Sequence, residues 1–529
     1  MFGWFKSRLS PPPRGELLRK ADAAYREGAT ARVREHCLAV LQQAPDDARA
    51  LFLLASAAAD DRLIDEGLRW ARRAVAVRPA DAAPHYALAR VWEAAQRYGE
   101  AEASYRAALA RDGGDAKTHN NLGAVLQMQG RFDEALACYR RALEIDPAQP
   151  QANQNYAAIV HNPASQQAAI QHYRSQAAAN PRDAAAHQGL AAVYTDLGRL
   201  EEALASFERA IELEPQRADL RFSRALVLLA CGRYAEGWEE YEWRWRVEAL
   251  NAPARRFPQP LWNGAPLSGT LLLHGETGLG DTLQFVRYAR LAAQRCDRVV
   301  LECQPALKDF LRGLEGAAQV VAQGEPLPEF AAHLPLIGLP RRFATTLESI
   351  PWTGPYVHAD PALVETWRAR LRAQGAARLS VGLCWTGSPQ NMNNRRRSLG
   401  LEDFAPLGAV PGARFYSLQK SAGAEQPLPA PPGMSFVDLV EAKRDFPNVA
   451  ALIGALDVVV TVDTSIAHLA GAMGAETWVV LNHSPDWRYH RERSDNPWYP
   501  TQRLFRQARE GDWTSVVREV KTRLESRLA

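Results

Sequence analysis

Val458-Val459-Val460-Thr461-Val462-Asp463-Thr464-Ser465-Ile466-Ala467-His468-Leu469-Ala470-Gly471-Ala472 reads as a buried strand that stops at an acidic residue and turns into a helix of small side chains. The first backbone N–H groups of a helix have no partner inside it, and the helix dipole adds partial positive charge there. Thr464 and Ser465 place hydroxyls beside those amides, and His468 falls within the first turn. The spacing predicts an anion turn suited to a diphosphate. Gly474 closes the helix and residues 478–481 read as the next strand, so a ligand is expected at the carboxyl end of a parallel sheet.

The same alternation extends back to Thr270. Residues 271–273 read as a short buried strand, followed by the turn His274-Gly275-Glu276-Thr277-Gly278-Leu279-Gly280-Asp281-Thr282, a helix over 283–293 and a strand at 299–301. Further strands are predicted at 380–385 and near 415–418, and a closing helix over 506–528. Two consecutive α/β units with special turns at strand ends suggest two Rossmann-like domains facing a cleft. The glycine turn lacks the Gly-Lys-Ser/Thr ending of an NTPase loop and the third glycine of a dinucleotide fingerprint. Asp281 has two readings: a cap for a helix starting at Thr282, or a carboxylate that removes a proton from an incoming hydroxyl. The loop Gly387-Ser388-Pro389-Gln390-Asn391-Met392-Asn393-Asn394-Arg395-Arg396-Arg397 follows the strand at 380–385. It is either a solvated surface or a diphosphate-neutralising loop. Arg397 is the favoured contact, because the chain turns apolar just after it.

In the first half, prolines recur at Pro45, Pro79, Pro147, Pro181 and Pro215, with gaps of 34, 68, 34 and 34. A fixed 34-residue period marks tetratricopeptide repeats, helical hairpins that cover their apolar faces by stacking on neighbours. The best copy carries Leu122-Gly123, Gly130, Ala135, Tyr139, Ala142 and Pro147, and about seven copies fill residues 14–250. Such arrays bind extended peptides or other proteins. Asn121 and Asn155, one repeat apart, are candidates for gripping a peptide backbone in the groove, or are solvated polar residues. Trp238, Tyr241, Trp243 and Trp245 end the array and read as a packed seam. A nucleic-acid stacking platform is disfavoured by the interleaved Glu239, Glu240 and Glu242.

The bulk numbers agree with a multidomain globular chain: 529 residues, 47% hydrophobic and 23% charged. A net charge of +3 gives no support to nucleic-acid binding. Six scattered cysteines without a Cys-x-x-Cys pair argue against a zinc site or a disulfide framework and for a reducing, cytoplasmic setting. No transmembrane segment is expected. The aromatic and basic start Met1-Phe2-Gly3-Trp4-Phe5-Lys6-Ser7-Arg8 is consistent with a flexible tail (residues 1–13) or weak membrane-surface contact.

Three strings carry a resemblance: Glu276-Thr277-Gly278-Leu279-Gly280-Asp281-Thr282-Leu283-Gln284-Phe285, Val462-Asp463-Thr464-Ser465-Ile466-Ala467-His468-Leu469-Ala470-Gly471, and Trp498-Tyr499-Pro500. With Gly237-Trp238-Glu239-Glu240-Tyr241-Glu242-Trp243-Arg244-Trp245 they resemble bacterial tetratricopeptide glycosyltransferases, whose catalytic half is similar to the ADP-heptose lipopolysaccharide heptosyltransferases (glycosyltransferase family 9). The layout is also similar to that of protein O-GlcNAc transferases. The resemblance implies a GT-B fold, with an acceptor-side Rossmann-like domain over 251–375 and a nucleotide-sugar-binding one over 376–529. It implies metal-independent, inverting transfer without a cofactor, the nucleotide sugar being a substrate. It assigns Asp281 as base, Gly278, Gly280 and Gln284 to the acceptor-side loop, and Asp463, Thr464, Ser465 and His468 to the donor-phosphate turn. Thr277 departs from the expected glutamine, and Pro447-Asn448-Val449 from an acidic residue and threonine. The expected function is sugar transfer from a nucleotide sugar to an acceptor hydroxyl, on a protein recruited by the repeats. The alternatives are a non-catalytic scaffold with a degenerate transferase domain, and a saccharide or lipid acceptor with the repeats serving recruitment.

Overall fold

The computed structural model describes residues 12–146, 163–247, 257–276, 278–388, 396–420 and 427–529, with residues 149, 151, 152, 155, 156, 159 and 394 between them. The N-terminal tail to residue 11, Thr277 and Arg395 lie outside the described residues. The chain divides into two compact units, Met1–His172 and Tyr173–Ala529. The division falls inside the repeat array, which the 34-residue period carries on to about residue 250.

The first unit is built of helical hairpins such as Ala82–Ala94 with Tyr98–Leu109 and Ala116–Met128 with Phe132–Ile145. Small residues set the approach of each pair. A Cβ added at Gly123 would lie 2.6 Å from the Tyr139 ring, so only glycine lets that tyrosine fill the seam. Ala135, Tyr139 and Ala142 are fully buried there. The turn between the two helices of a hairpin needs a left-handed residue, and the period shows it: Gly28, Gly130, Gly198 and Gly232 have φ of 71°, 76°, 74° and 79°. Arg62 and Gln96 occupy the same phase of the repeat with φ of 56° and 58°. A side chain in that region costs about 1–2 kcal/mol, partly offset by the extra freedom of glycine in the unfolded chain. Gln96→Gly is therefore expected to stabilise the protein by about 0.5–1 kcal/mol, seen as a higher melting temperature.

The second unit continues the hairpins through Ala184–Asp196 with Leu200–Leu213 and Ala218–Ala230 with Tyr234–Tyr241. Two parallel sheets follow. The first contains β1 (Leu267–His274), β2 (Cys296–Cys303), β3 (Gln319–Ala322) and β4 (Ala332–Pro335) in the order β3-β2-β1-β4. The second contains β5 (Leu379–Cys384), β6 (Ala413–Ser417), β7 (Phe436–Val437), β8 (Val458–Val462), β9 (Thr477–Leu481) and β10 (Gln502–Arg506) in the order β10-β9-β8-β5-β6-β7. All named pairs are parallel, which explains the unbroken apolar runs: every residue of β8 and of β9 is buried. In both sheets the first strand lies between strands on either side that follow it by different routes. This places a switch point between β1 and β4 and another between β5 and β8.

Several expectations need correction. The helix predicted over 283–293 starts earlier, at Leu279–Phe285, and passes through the 3₁₀ turn Val286–Tyr288 to Ala289–Ala293. Gly278 is its N-cap residue, so Asp281 is not the cap. Arg506 ends β10, and the final helix begins only at Trp513. The strands β3, β4 and β10 are not legible in the sequence because four or five residues of mixed polarity carry no periodic signal, and the two-residue β7 is too short to carry one.

The aromatic seam packs as predicted around Trp238, whose ring lies 5.3 Å from Trp487, 6.4 Å from Trp498 and 6.3 Å from Phe285. Tyr234 accepts a hydrogen bond from Trp498 Nε1 (3.0 Å). Arg491 donates to the Thr195 carbonyl (2.7 Å), tying the hairpins of this unit to the segment after β9. Trp245 stays partly exposed.

Candidate functional site

Four loops at the carboxyl ends of β1, β5, β8 and β9 meet at one place in the second unit. The loop after β1 is the glycine turn. Its backbone is held by Gln323, which donates to the Gly275 carbonyl (3.0 Å), and its Glu276 side chain is ion-paired with Arg244 (2.9 Å). The hydroxyl of Thr282 donates to Gln304 Oε1 (2.9 Å). Gly278 lacks a Cβ where one would lie 2.5 Å from Asp281 Oδ2, so the carboxylate folds back over the turn. Gly280 has the same role on its other side: a Cβ there would sit 2.6 Å from His468 Cδ2. Two separately predicted motifs, far apart in the chain, are thereby brought into contact.

The helix Ser465–Ala472 starts after β8 as read from the sequence. Thr464 is its N-cap, accepting from the Ile466 amide (3.2 Å). Ser465 is half-buried at the first helical position. Asp463 accepts from Arg397 (3.1 Å) across the switch point between β5 and β8, and from the Tyr489 hydroxyl (3.0 Å). Both carboxylate oxygens are therefore engaged within the protein, Oδ2 by Arg397 and Oδ1 by Tyr489. The backbone of Gly387 makes room for that guanidinium: a Cβ there would lie 2.8 Å from Arg397 Nη2. Arg396 turns instead to Glu510 (3.2 Å).

His468 is buried, and its Nδ1 is 2.9 Å from the Tyr499 hydroxyl. Burial, seconded by the Arg488 guanidinium, pushes its pKa down to about 3, so the ring is neutral at ordinary pH. It is a neutral polar group there rather than a cation. Burial also lowers His490. Unfolded histidines take protons near pH 6.5 that these native rings refuse, so stability is expected to be lost as pH falls from about 6.5 toward about 3. Denaturant unfolding at two pH values checks this. His468→Gln should make the slope shallower, by no more than about 1.4 kcal/mol per pH unit.

Arg488 was not singled out in the sequence. It lies in the 3₁₀ turn Trp487–Tyr489 after β9, donating through Nε to Gln284 Oε1 (2.6 Å) and through Nη1 to Asp486 Oδ1 (2.8 Å). Its Nη2 is ion-paired with Asp281. Only its place at the carboxyl end of a parallel strand signalled it. Asp281 keeps 35% of its side chain exposed, whereas Arg488 keeps 10%. Burial raises the Asp281 pKa above the usual carboxylate value; Arg488 opposes this, and the nearby Asp486 and Asp463 add to it. Gln284 is fully buried, and its Nε2 has no partner among the described residues; nor has Arg397 Nε.

In the first unit, Asn155 donates to Asn120 Oδ1 (3.1 Å), Asn120 to Asn121 Oδ1 (3.0 Å), and Asn121 to the Tyr86 hydroxyl (3.1 Å). The amides form a ladder along the repeats, which uses part of the capacity assigned to a peptide. The departure Pro447-Asn448-Val449 opens the helix Phe446–Ala455. Asp445 caps it through the Asn448 amide (2.8 Å), and Asn448 accepts from Trp367 Nε1 (3.2 Å). Among the described residues no group of three or more His, Cys, Asp or Glu is placed to hold a metal ion, and no helix is long and apolar enough to cross a membrane.

This is a tetratricopeptide repeat solenoid followed by a region of parallel sheets. Residues 116–149 and 184–217 match the family model of the tetratricopeptide repeat. Protein FlbA of Caulobacter vibrioides is 29% identical over 319 residues, 54% of this chain and 52% of its own length. The chain thus spans about half the length of that curated relative. Among solved structures, a thermophilic repeat protein of Thermus thermophilus is 22% identical, covering 41% of this chain and 100% of that one, with a TM-score of 0.25. YrrB, a repeat protein with an unusual peptide-binding site, is 17% identical, covering 40% and 92%, with a TM-score of 0.21.

Proposed function

We propose that the chain is a glycosyltransferase of GT-B type, moving a sugar from a nucleotide-sugar donor to an acceptor hydroxyl. The observation that carries this reading is the junction of Asp281 with the loops after β8 and β9, through Arg488 and the contact of Gly280 with His468. The strand order of the second sheet, read as 3-2-1-4-5-6, supports a doubly wound nucleotide-binding domain. The carboxylate of Asp281 takes the proton of the acceptor hydroxyl as its oxygen bonds to the anomeric carbon. The bond from that carbon to the donor phosphate breaks, and a nucleoside diphosphate leaves. Arg488, Arg397 and the first amides of the helix Ser465–Ala472 stabilise the charge that develops on the leaving group. No step calls on a metal or cofactor. Tetratricopeptide repeats suit protein or peptide binding, so the acceptor is a protein held by the array. All six cysteines are free, which suits a cytoplasmic setting.

The test is incubation of the full chain with radiolabelled nucleotide sugars and cell extract. Label transferred to protein, from one donor and not from its free sugar, is the expected result. Absence of transfer with every donor, while the repeats still retain a partner, contradicts it and leaves a scaffold.

A further inference from the structure

The inference rests on the diphosphate reading above and concerns how the site is regulated. Three carboxylates, Asp281, Asp463 and Asp486, share two guanidiniums, Arg397 and Arg488. Arg488 is held in two ways. Nε to Gln284 and Nη1 to Asp486 are anchors from buried or short-range partners, while Nη2 is the arm that meets Asp281. Asp281 cannot act as a free base while that arm occupies it. Beside the same guanidinium, the buried Nε2 of Gln284 is a donor with no acceptor among the described residues. An incoming anion oxygen would supply the acceptor that this buried donor lacks.

We propose that Arg488 is a donor-sensing latch on the base: with the site empty its guanidinium ties up Asp281, and a diphosphate takes over that arm and frees the carboxylate. The anchors let the guanidinium exchange partners by a small movement rather than a new rotamer. Arg488 thus contacts the donor as well as holding Asp281, and the donor must bind before the acceptor hydroxyl can lose its proton. This ordering keeps the base idle when no sugar is present to be transferred.

The test uses inorganic pyrophosphate and calorimetric titration of the full chain, with Asp281→Asn, Arg488→Gln and the double variant, all checked for native circular dichroism. Removing the carboxylate should tighten pyrophosphate about tenfold by ending its competition for Arg488, and removing Arg488 should weaken it about tenfold. In the Arg488→Gln background the effect of Asp281→Asn should shrink to less than about twofold. Tightening that persists undiminished without Arg488 would mean simple charge repulsion and overturn the latch, as would no tightening at all. Should Arg488→Gln fail to fold, proton uptake decides. Titration in buffers of different ionisation enthalpy should show wild type taking up more protons on binding than Asp281→Asn, since release from Arg488 raises the affinity of the carboxylate for a proton. Equal uptake overturns the latch. If neither wild type nor Asp281→Asn binds pyrophosphate or any nucleoside diphosphate, the diphosphate reading itself falls.

Discussion

Asp281→Asn is expected to lower sugar transfer by about 10²–10⁴-fold, the range removed with a general base, while leaving the fold intact. The amide has the same shape, so Gly278 still accommodates it and the turn keeps its supports from Gln323 and Arg244. It cannot accept the acceptor's proton. The pH profile separates this role from a structural one. Burial and the neighbouring Asp486 and Asp463 hold the Asp281 pKa above the ordinary carboxylate value. Activity should therefore be lost as pH falls through that raised value, and this acidic limb should be missing from the residual activity of Asp281→Asn. His468, already neutral down to a pKa of about 3, supplies no such limb. An unchanged rate in Asp281→Asn would remove the base assignment outright.

Trp238→Ala is expected to have the largest effect on stability. The ring is 2% exposed and contacts Tyr234, Tyr241, Phe285, Trp487 and Trp498, joining the last hairpin to both sheets. Truncating a buried tryptophan costs about 3–5 kcal/mol, in lost burial and in the cavity left behind. Trp238 Nε1 has no partner among the described residues, so Trp238→Phe removes volume without orphaning an acceptor and should cost much less. Calorimetry of the full chain should show a melting transition lowered by several degrees in the alanine variant. Because Phe285 ends the short helix that carries Asp281, transfer should fall with it. A melting temperature within a degree of wild type would show that the seam does not hold the unit together.

Periodic features were readable in the sequence, and features set by long-range pairing were not. The 34-residue period placed the hairpins, because each turn demands its small residues at fixed spacing. Even the left-handed turn position can be read there, in Gly130, Gly198 and Gly232, with Gln96 as a worn copy. The strand at β8 and the helix behind Thr464 were legible because a run of valines, a hydroxyl cap and a closing Gly474 are local signals. Arg488 was illegible, since its importance comes from Asp281, which lies 207 positions away. The same holds for Gln323 and Arg244, ordinary polar residues until the fold sets them against the glycine turn. Asp463 looked like a ligand contact, and only the switch point between β5 and β8 shows that its carboxylate is taken up by Arg397 and Tyr489. That the last hairpins belong to one compact unit with the sheets was not legible either, because it comes from the packing of the aromatic seam against residues far along the chain.

The most direct measurement is a crystal structure of the full chain with a nucleoside diphosphate bound. Its diphosphate is expected at the start of the helix Ser465–Ala472, with Arg488 turned from Asp281 to a phosphate oxygen and the carboxylate open to an acceptor. A diphosphate bound elsewhere, or none at millimolar nucleotide with Arg488 still on Asp281, would contradict the account.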